Sequence, residues 1–502
     1  MQVLICVAEC KYDVVREAAR TMGWKLVDVE SETQRKCHIY WVDVANIIER
    51  LNQLRPWQRI NHFPGMSNVA RKGRMAQNLD RMRRTFPQDY AFYPRTWVLP
   101  AEWGSFKAEF DSLGKSNRTF IIKPDSGCQG RGIFLTQDME RVNAMESQVA
   151  QLYVRKPLLI DGLKFDLRLY VLVTSVIPLR VYAFKDGLAR FCTEEYLRPA
   201  SDNLGERCMH LTNYSVNKGS ENFVANTEAD RDDCGSKRSL RWLLDWVAQE
   251  HGEGRADTLW RRMCNSCVKT LVCILPTLHR DYLQTFGPDS GNTVSADSKP
   301  GVEEGCSREG VTGEGKGSKM SKGDERDDED RWAQPQQQFQ EHQNNGVVEG
   351  SRCVEILGFD FMVDASLKPW LIEVNHLPSF ATDSPLDERI KSQVVTTAMS
   401  VLKAKAGDKR SYEDAAKREA RLRLYHSDSA TVGSLRELRE QERKEMEADA
   451  AKVRCKVESL YKRFAPNKLG KVDTLLDKYA GQEQKLLRMI QQKYANSGER
   501  RT

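Results

Sequence analysis

Apolar and charged positions alternate most clearly over Lys164-Phe165-Asp166-Leu167-Arg168-Leu169-Tyr170-Val171-Leu172-Val173. Successive side chains of a strand point to opposite faces, so Phe165, Leu167, Leu169 and Val171 share one face, and Lys164, Asp166 and Arg168 the other. Two later segments repeat the pattern. Leu357, Phe359, Phe361 and Val363 form an apolar face with Asp360 opposite, between Gly358 and Met362. In Trp370-Leu371-Ile372-Glu373-Val374-Asn375, Glu373 and Asn375 lie two apart and share a face. Upstream, Phe120-Ile121-Ile122-Lys123-Pro124 predicts a strand ending in a lysine. Residues 1 to about 286 alternate short apolar runs with amphipathic stretches, which predicts an α/β or α+β body.

From Gly287 to Ser351 the composition turns to Gly, Ser, Asp, Glu and Gln, with too few apolar residues to repay ordering, and a disordered insertion is expected. The strand pattern resumes at Cys353-Val354-Glu355-Ile356-Leu357-Gly358-Phe359, so the insertion interrupts one domain at a surface loop, where added length costs little closure entropy. After about Lys403 the propensity is helical, and Leu435 to Lys444 carries charges at helical spacing with few large apolar residues, as in a solvated helix. The expected organisation is an N-terminal α/β subdomain over 1–100, a central and C-terminal body over 101–402 interrupted by 287–351, and a basic helical extension over 403–502.

Charge changes this picture in one place. The chain of 502 residues carries +6, but the segment from Lys403 onward carries +9 and the rest −3. With 40% hydrophobic and 29% charged residues and no apolar run near the ~18 needed to span a bilayer, a multispanning membrane protein is excluded. The opening Met1-Gln2-Val3-Leu4-Ile5-Cys6 lacks the regions of a secretion signal, and a cytosolic protein is expected. The 13 cysteines, scattered without a repeating spacing, suit reduced thiols. Cys264 and Cys267 form the only C-x-x-C; without a second pair they read as helical thiols and not as half of a zinc set.

The charges set within apolar strands carry the chemistry. An unpaired buried carboxylate costs several kcal/mol, so each needs a cation. Asp360, Glu373 and Asn375 offer hard oxygen ligands suited to one or two Mg2+ ions completed by water and nucleotide phosphates, with salt bridges to Arg168 or Lys164 as the structural alternative. After the Lys123 strand come Gly127, Gly130 and Gly132, whose backbone amides could approach phosphates. The spacing matches neither the Walker loop nor the dinucleotide fingerprint, and a hairpin turn accounts for it equally well.

Together, a strand lysine, a glycine-rich loop, a K-F-D-L-R strand and a later strand ending E-V-N resemble an ATP-grasp ligase. More closely they resemble the tubulin tyrosine ligase-like family, most of all its polyglutamylases. Arg71-Lys72, Tyr93 to Pro100, Pro157 to Gly162, His210-Leu211-Thr212-Asn213-Tyr214-Ser215 and Asn375 to Phe380 carry the likeness, which covers nearly all of 1–402 outside the insertion. The resemblance implies ATP-dependent activation of a carboxylate and its capture by an amino acid's amine. It places Lys123 on the α/β-phosphates, with Gly127, Gln129, Gly130, Arg131 and Gly132 over them, and Gln151, Leu152, Tyr153 and Val154 at the adenine hinge. Lys164 and Asp166 match nucleotide- or substrate-pocket positions, and Arg168 and Arg190 match the arginines near the transferred phosphate. Asp360, Glu373 and Asn375 match the magnesium ligands, and His210, Thr212 and Asn213 line the nucleotide and amino-acid pocket. Leu152 stands where the family's hinge often has a lysine, and the insertion is not part of the common pattern.

The expected cofactors are therefore ATP and Mg2+, the amino acid free L-glutamate, and the acceptor the acidic C-terminal tails of tubulin in microtubules. Arg190 or Lys218 is the candidate cation for the added glutamate's extra carboxylate. Glycine or tyrosine ligation on the same scaffold, glutamylation of a non-tubulin protein and non-enzymatic microtubule binding are the competing functions. A cytoplasmic, cytoskeletal location follows, with the cilium or flagellum axoneme and the basal body as candidate sites. The basic extension is expected to dock on microtubules; no nucleic-acid motif accompanies it, and neither nucleic-acid binding nor a membrane span is expected.

Overall fold

The computed structural model describes residues 2–28, 34–44, 47–114, 118–127, 130–228, 231–287, 351–402, 404–425, 444, 451–479 and 483–495. The expected insertion apart from its end residues Gly287 and Ser351, Gln129, and all of Leu435 to Lys444 except Lys444 itself lie outside them. Fourteen strands form three sheets among these residues. The first is parallel, ordered β2 (Lys25–Val27), β1 (Leu4–Cys6), β3 (Ile39–Tyr40), β4 (Arg59–Ile60). A second, antiparallel sheet runs β5 (Thr96–Leu99), β8 (Gln148–Leu152), β6 (Phe120–Pro124), β7 (Phe134–Thr136). β5 precedes residue 100 yet pairs with β8, so the central body draws in chain from the N-terminal side of that position.

The largest sheet is antiparallel, ordered β12 (Lys237–Ser239), β11 (Leu179–Glu195), β10 (Leu163–Val176), β13 (Glu355–Val363), β14 (Pro369–Asn375), with β9 (Leu159–Ile160) also on β10. Its faces sort as the alternation predicts. Phe165, Leu167, Leu169 and Val171 of β10 and Leu357, Phe359, Phe361 and Val363 of β13 join one large core, shared with the helices Leu240–His251 and Glu253–Val272. The opposite face divides in two. Tyr170, Leu172 and Ile356 pack in a second core with the N-terminal sheet and the helix Pro385–Val401, while Lys164, Asp166 and Arg168 occupy the other end of the same face. Cys264 and Cys267 lie in the helix Glu253–Val272, where burial pushes both thiols up.

The segment 451–495 has a core of its own, with Val453, Val457, Tyr461, Val472, Leu486, Leu487 and Ile490 packed together. The sequence predicts a basic helical extension over 403–502 without marking a core in it; the apolar residues come from three separate short helical stretches, none strongly apolar alone. The helix Asp408–Tyr425 starts at a buried ion pair, Arg59 Nη1 to Asp408 Oδ2 at 2.9 Å, which ties it to β4. No helix among the described residues is long and apolar enough to cross a membrane.

Candidate active site

Register brings the charged positions into one row across four strands. Asp166 faces Arg190 between β10 and β11, Arg168 faces Asp360 between β10 and β13, and Asp360 faces Glu373 between β13 and β14. Arg190 donates to both Asp166 oxygens at 2.7 Å and reaches Asp360 Oδ2 at 2.9 Å. Arg168 also holds Asp360 two-pronged, through Nε to Oδ1 and through Nη2 to Oδ2 at 2.8 Å. Gly358 makes room for this, since a Cβ there would lie 3.0 Å from Arg168 Cδ. Asn375 Nδ2 donates to Asp360 Oδ2 and to Glu373 Oε1, each at 3.3 Å.

Burial alone would raise the Asp360 carboxyl, but the Arg168 and Arg190 guanidiniums hold it below the ordinary carboxylate range. Asp166 goes the other way: burial pushes it up, with the Asp360 charge adding to the rise, and Arg190 and the Thr212 hydroxyl only partly offset that. Thr212 Oγ1 donates to Asp166 Oδ2 at 2.6 Å.

Asp166, Thr212, Asp360 and Glu373 wall an open-mouthed cavity of about 610 Å3, which Arg168, Arg190 and Asn375 do not line. Lys123, Gln151, Leu152, Tyr153, Val154, Lys164, Asp166, His210, Thr212, Asn213, Asp360 and Glu373 all line it. Lys123 donates to Gln151 Oε1 at 2.8 Å, and Lys164 to Tyr153 Oη at 2.7 Å and to the His210 carbonyl at 2.6 Å. Desolvation pushes both ammonium groups down to about 8. Two lysines (Lys123, Lys164) and three carboxylates (Asp166, Asp360, Glu373) line the cavity, with Arg168 and Arg190 paired to Asp166 and Asp360 from outside the lining, so the two lysines are the cations an anionic guest would meet.

The glycine loop is a hairpin between β6 and β7, not the start of a helix. Gly130 and Gly132 have φ of +72° and +70°, conformations that favour glycine. Lys72 donates to the Gly127 carbonyl at 2.6 Å and Arg207 to that of Gly130 at 2.9 Å, anchoring the loop from two sides. Sequence reading missed both anchors, as a long-range bond from a surface cation to a carbonyl leaves no local pattern.

Two expected positions differ from expectation, and a third, His210, stands in the lining as expected with its ring nitrogens engaged. Lys218 is exposed, its Nζ 5.4 Å from the Tyr214 ring centroid, and it does not line the cavity, because it caps a short helix, Tyr214–Asn217, whose cavity side is taken by Asn213. Arg190 is committed to Asp166 and Asp360, so it cannot also serve as a free partner for an added carboxylate without breaking that pairing. His210 lines the cavity, but both ring nitrogens are engaged, Nδ1 with Tyr153 Oη at 3.2 Å and Nε2 with the Asn203 carbonyl at 3.0 Å. Desolvation and then Lys164 push its imidazole down to about 4, so it stays neutral.

The apolar walls Ile121, Ile133, Met362 and Ile372 were also missed. Ile121 and Met362 each stand two residues from a charged position already identified, Lys123 and Asp360, and period-2 reading could have found them. Ile372 could not be found that way. The register shifts between Asp360 and Phe361, so the adjacent Ile372 and Glu373 both reach the cavity.

A sheet carrying a row of paired charges beside a lysine-lined cavity under a glycine hairpin defines an ATP-grasp-like α/β fold. The chain belongs to the tubulin-tyrosine ligase family, whose model matches residues 50–285 and 330–410, and the interval between the two stretches falls inside the polar segment. It is 38% identical over 409 residues to mouse tubulin polyglutamylase TTLL6, covering 82% of this chain and 41% of that protein. Human tubulin polyglutamylase TTLL13 is 38% identical over 423 residues, covering 84% and 43%. A probable beta-tubulin polyglutamylase of Tetrahymena thermophila is 38% identical over 398 residues, covering 79% and 28%. The chain spans less than half the length of these curated relatives.

Proposed function

We propose that this chain is an ATP-dependent ligase that adds glutamate to glutamate side chains of tubulin tails through an acyl phosphate. The observation that carries the reading is the convergence of Lys123, Lys164, Asp166, Asp360 and Glu373 on one cavity that also has apolar walls. The names of the relatives support tubulin and glutamate as the substrates, and with them a cytoskeletal location.

On this reading Ile121, Ile133, Met362 and Ile372 sandwich the adenine while the backbone of Gln151 to Val154 reads its edge. Lys123 and Lys164 neutralise phosphates, and the Gly127 to Gly132 hairpin covers them. Transfer of a phosphoryl group to a carboxylate joins two anions, and the cations of the site offset the charge that collects between them. The donor set fits Mg2+: Glu373 commits only one oxygen, to Asn375, and Asn375 points its amide nitrogen at both carboxylates, which leaves its oxygen for a ligand. Mg2+ supplies further charge neutralisation on the phosphates when bound. Both Asp360 oxygens are taken by Arg168, Arg190 and Asn375, so Asp360 would have to release one of these contacts to hold the ion, while Glu373 and Asn375 offer the spare oxygens. An acyl phosphate formed in the cavity must be kept from water until the amine attacks.

The test is incubation with ATP, Mg2+, microtubules and labelled glutamate, glycine or tyrosine in turn. Glutamate incorporation is expected. Incorporation of glycine or tyrosine instead would reassign the donor, and microtubule binding without incorporation of any of the three would make the chain a non-enzymatic binder.

A further inference from the structure

A second cluster of ligating side chains lies outside the cavity just described. His62, which follows β4, Glu355, which opens β13, and His376, which follows β14, offer three ligand atoms within 4.8 Å of one another. His62 and Glu355 are buried and His376 is half-buried.

Each side chain is oriented with its ligand atom inward. The Nε2 of His62 lies 2.7 Å from the Val42 carbonyl, which fixes the proton on that nitrogen and turns Nδ1 towards the cluster. A carbonyl on the far nitrogen is the usual outer partner of a metal-bound histidine. Glu355 Oε2 accepts the Phe63 N–H at 2.8 Å, which leaves Oε1 facing the two imidazoles. The separations are long for a charge-assisted hydrogen bond and leave room for a metal ion. Glu355 Oε1 lies 3.3 Å from His62 Nδ1 and 3.7 Å from His376 Nδ1. A charge-assisted hydrogen bond would close to about 2.7–2.9 Å. Ligands about 2.0–2.1 Å from a tetrahedral zinc ion stand about 3.3 Å apart.

We propose that His62 Nδ1, Glu355 Oε1 and His376 Nδ1 bind a zinc ion that staples the N-terminal sheet to the large sheet beside Asn375. Two imidazoles and one carboxylate are a recognised three-ligand zinc set, and nitrogen donors disfavour Mg2+. His62 and His376 also line a small, mostly apolar cavity with Asp43 and Asn61, and a water there would be the fourth ligand. The site is independent of the ligase reading, as it uses none of the cavity's residues.

The experiment uses the full chain, stripped with a chelator and dialysed. Zinc is titrated in competition with a chromophoric chelator, in excess Mg2+, for the wild type and for His62→Gln, Glu355→Gln and the double variant. One zinc per chain is expected, with affinity falling more than about 100-fold in each single variant, beyond what outer-shell partners contribute. Zinc should also raise the wild-type melting temperature, and cobalt in its place should show a tetrahedral spectrum without a thiolate band. Absence of stoichiometric zinc in the wild type overturns the proposal, as does zinc retained by the double variant, which would assign it to the cysteines. If the variants do not fold, X-ray absorption on the wild type decides: a nitrogen and oxygen shell with two imidazoles supports the site, and a sulfur shell overturns it.

Discussion

The large sheet borders two buried ionic networks of similar make-up, Arg168–Asp360–Arg190–Asp166 and Lys237–Asp387–Lys391. In the second, Asp387 lies between Lys237 at 2.6 Å and Lys391 at 2.7 Å, with the Ser384 hydroxyl donating at 3.0 Å. Both networks hold a carboxylate below its ordinary range against the cost of burial, through arginines in the first and through Lys391 and Lys237 in the second. The surroundings differ. Asp166 and Asp360 of the first network line the large cavity beside two lysines and a half-buried Glu373, while Asp387, fully buried, lines neither that cavity nor the smaller one. Lys237 and Lys391 also have different work: Lys237 sits 3.6 Å from the Tyr214 ring centroid and Lys391 donates to the Ala381 carbonyl, so they join β12, the short helix and the helix Pro385–Val401. On the proposed function, the first network serves a reactive site because an open volume and spare ligand atoms on Glu373 and Asn375 accompany it. The second is a joint between elements.

The sharpest test of that distinction is Glu373→Gln, which removes a carboxylate from the cavity without breaking an ion pair. Ligation should fall by at least about 100-fold, the scale of losing one electrostatic stabiliser, with folding and microtubule binding retained. Normal turnover would end the magnesium assignment. Asp387→Asn should show the opposite profile, a stability loss of roughly 3–5 kcal/mol from two uncompensated buried lysines, with activity falling only as the folded fraction falls. Denaturant unfolding with activity per folded molecule separates the two, and a stable but inactive Asp387→Asn would move that network into the active site.

Arg168→Lys keeps the charge but loses the planar two-pronged contact to Asp360. Activity should drop roughly 10–100-fold with the melting temperature nearly unchanged. A parallel fall in melting temperature would make Arg168 a joint, like Lys237.

The two cavity lysines give a pH signature in nucleotide binding that Lys237 and Lys391, also pushed down by burial but outside the cavity, should not. Lys123 and Lys164 titrate at about 8 against an ordinary 10.5, and bound phosphate favours the charged form. Nucleotide affinity should therefore be full below pH 8 and weaken above it, approaching about tenfold per pH unit for each lysine that loses its proton. Folding responds with the opposite sign. Between 8 and 10.5 the unfolded chain binds more protons at these lysines, so their contribution to stability rises with pH. Nucleotide titrations on the wild type and Lys123→Met check this, since the variant should show a flatter profile.

The smallest effect concerns the basic extension. Removing residues from Lys403 onward should raise the KM for microtubules by several-fold and flatten its salt dependence, with turnover on a short tubulin-tail peptide nearly unchanged. Equal losses on both substrates would mean that the buried Arg59–Asp408 pair and the helix it holds support the catalytic body.

Much of this architecture is legible in one dimension because a strand's period of two follows from backbone geometry alone. Alternation assigned Phe165, Leu167, Leu169 and Val171 to a core and Lys164, Asp166 and Arg168 to the other face, and the sheet agrees. The same rule singled out Asp360 and Glu373, because a charge within an apolar strand must find a partner. Resemblance to the family added the hinge positions Gln151 to Val154, which composition could not have distinguished from any other strand end.

What the period cannot contain is the partner. Arg168 and Asp360 lie 192 positions apart, Arg190 and Asp166 face each other through a strand register, and His62 meets Glu355 across 293 positions. Register is decided by which apolar faces pack together over the whole sheet, and a single shift, as between Asp360 and Phe361, moves Ile372 and Glu373 together into the cavity against the alternation rule. The sequence by itself determined which side chains are charged, which face of each strand they take and the family to which they belong. Only the tertiary structure decided that Arg190 is spent on carboxylates, that Lys218 stands outside the cavity and that two histidines and a glutamate converge beside Asn375, because those outcomes depend on long-range packing that no local pattern records.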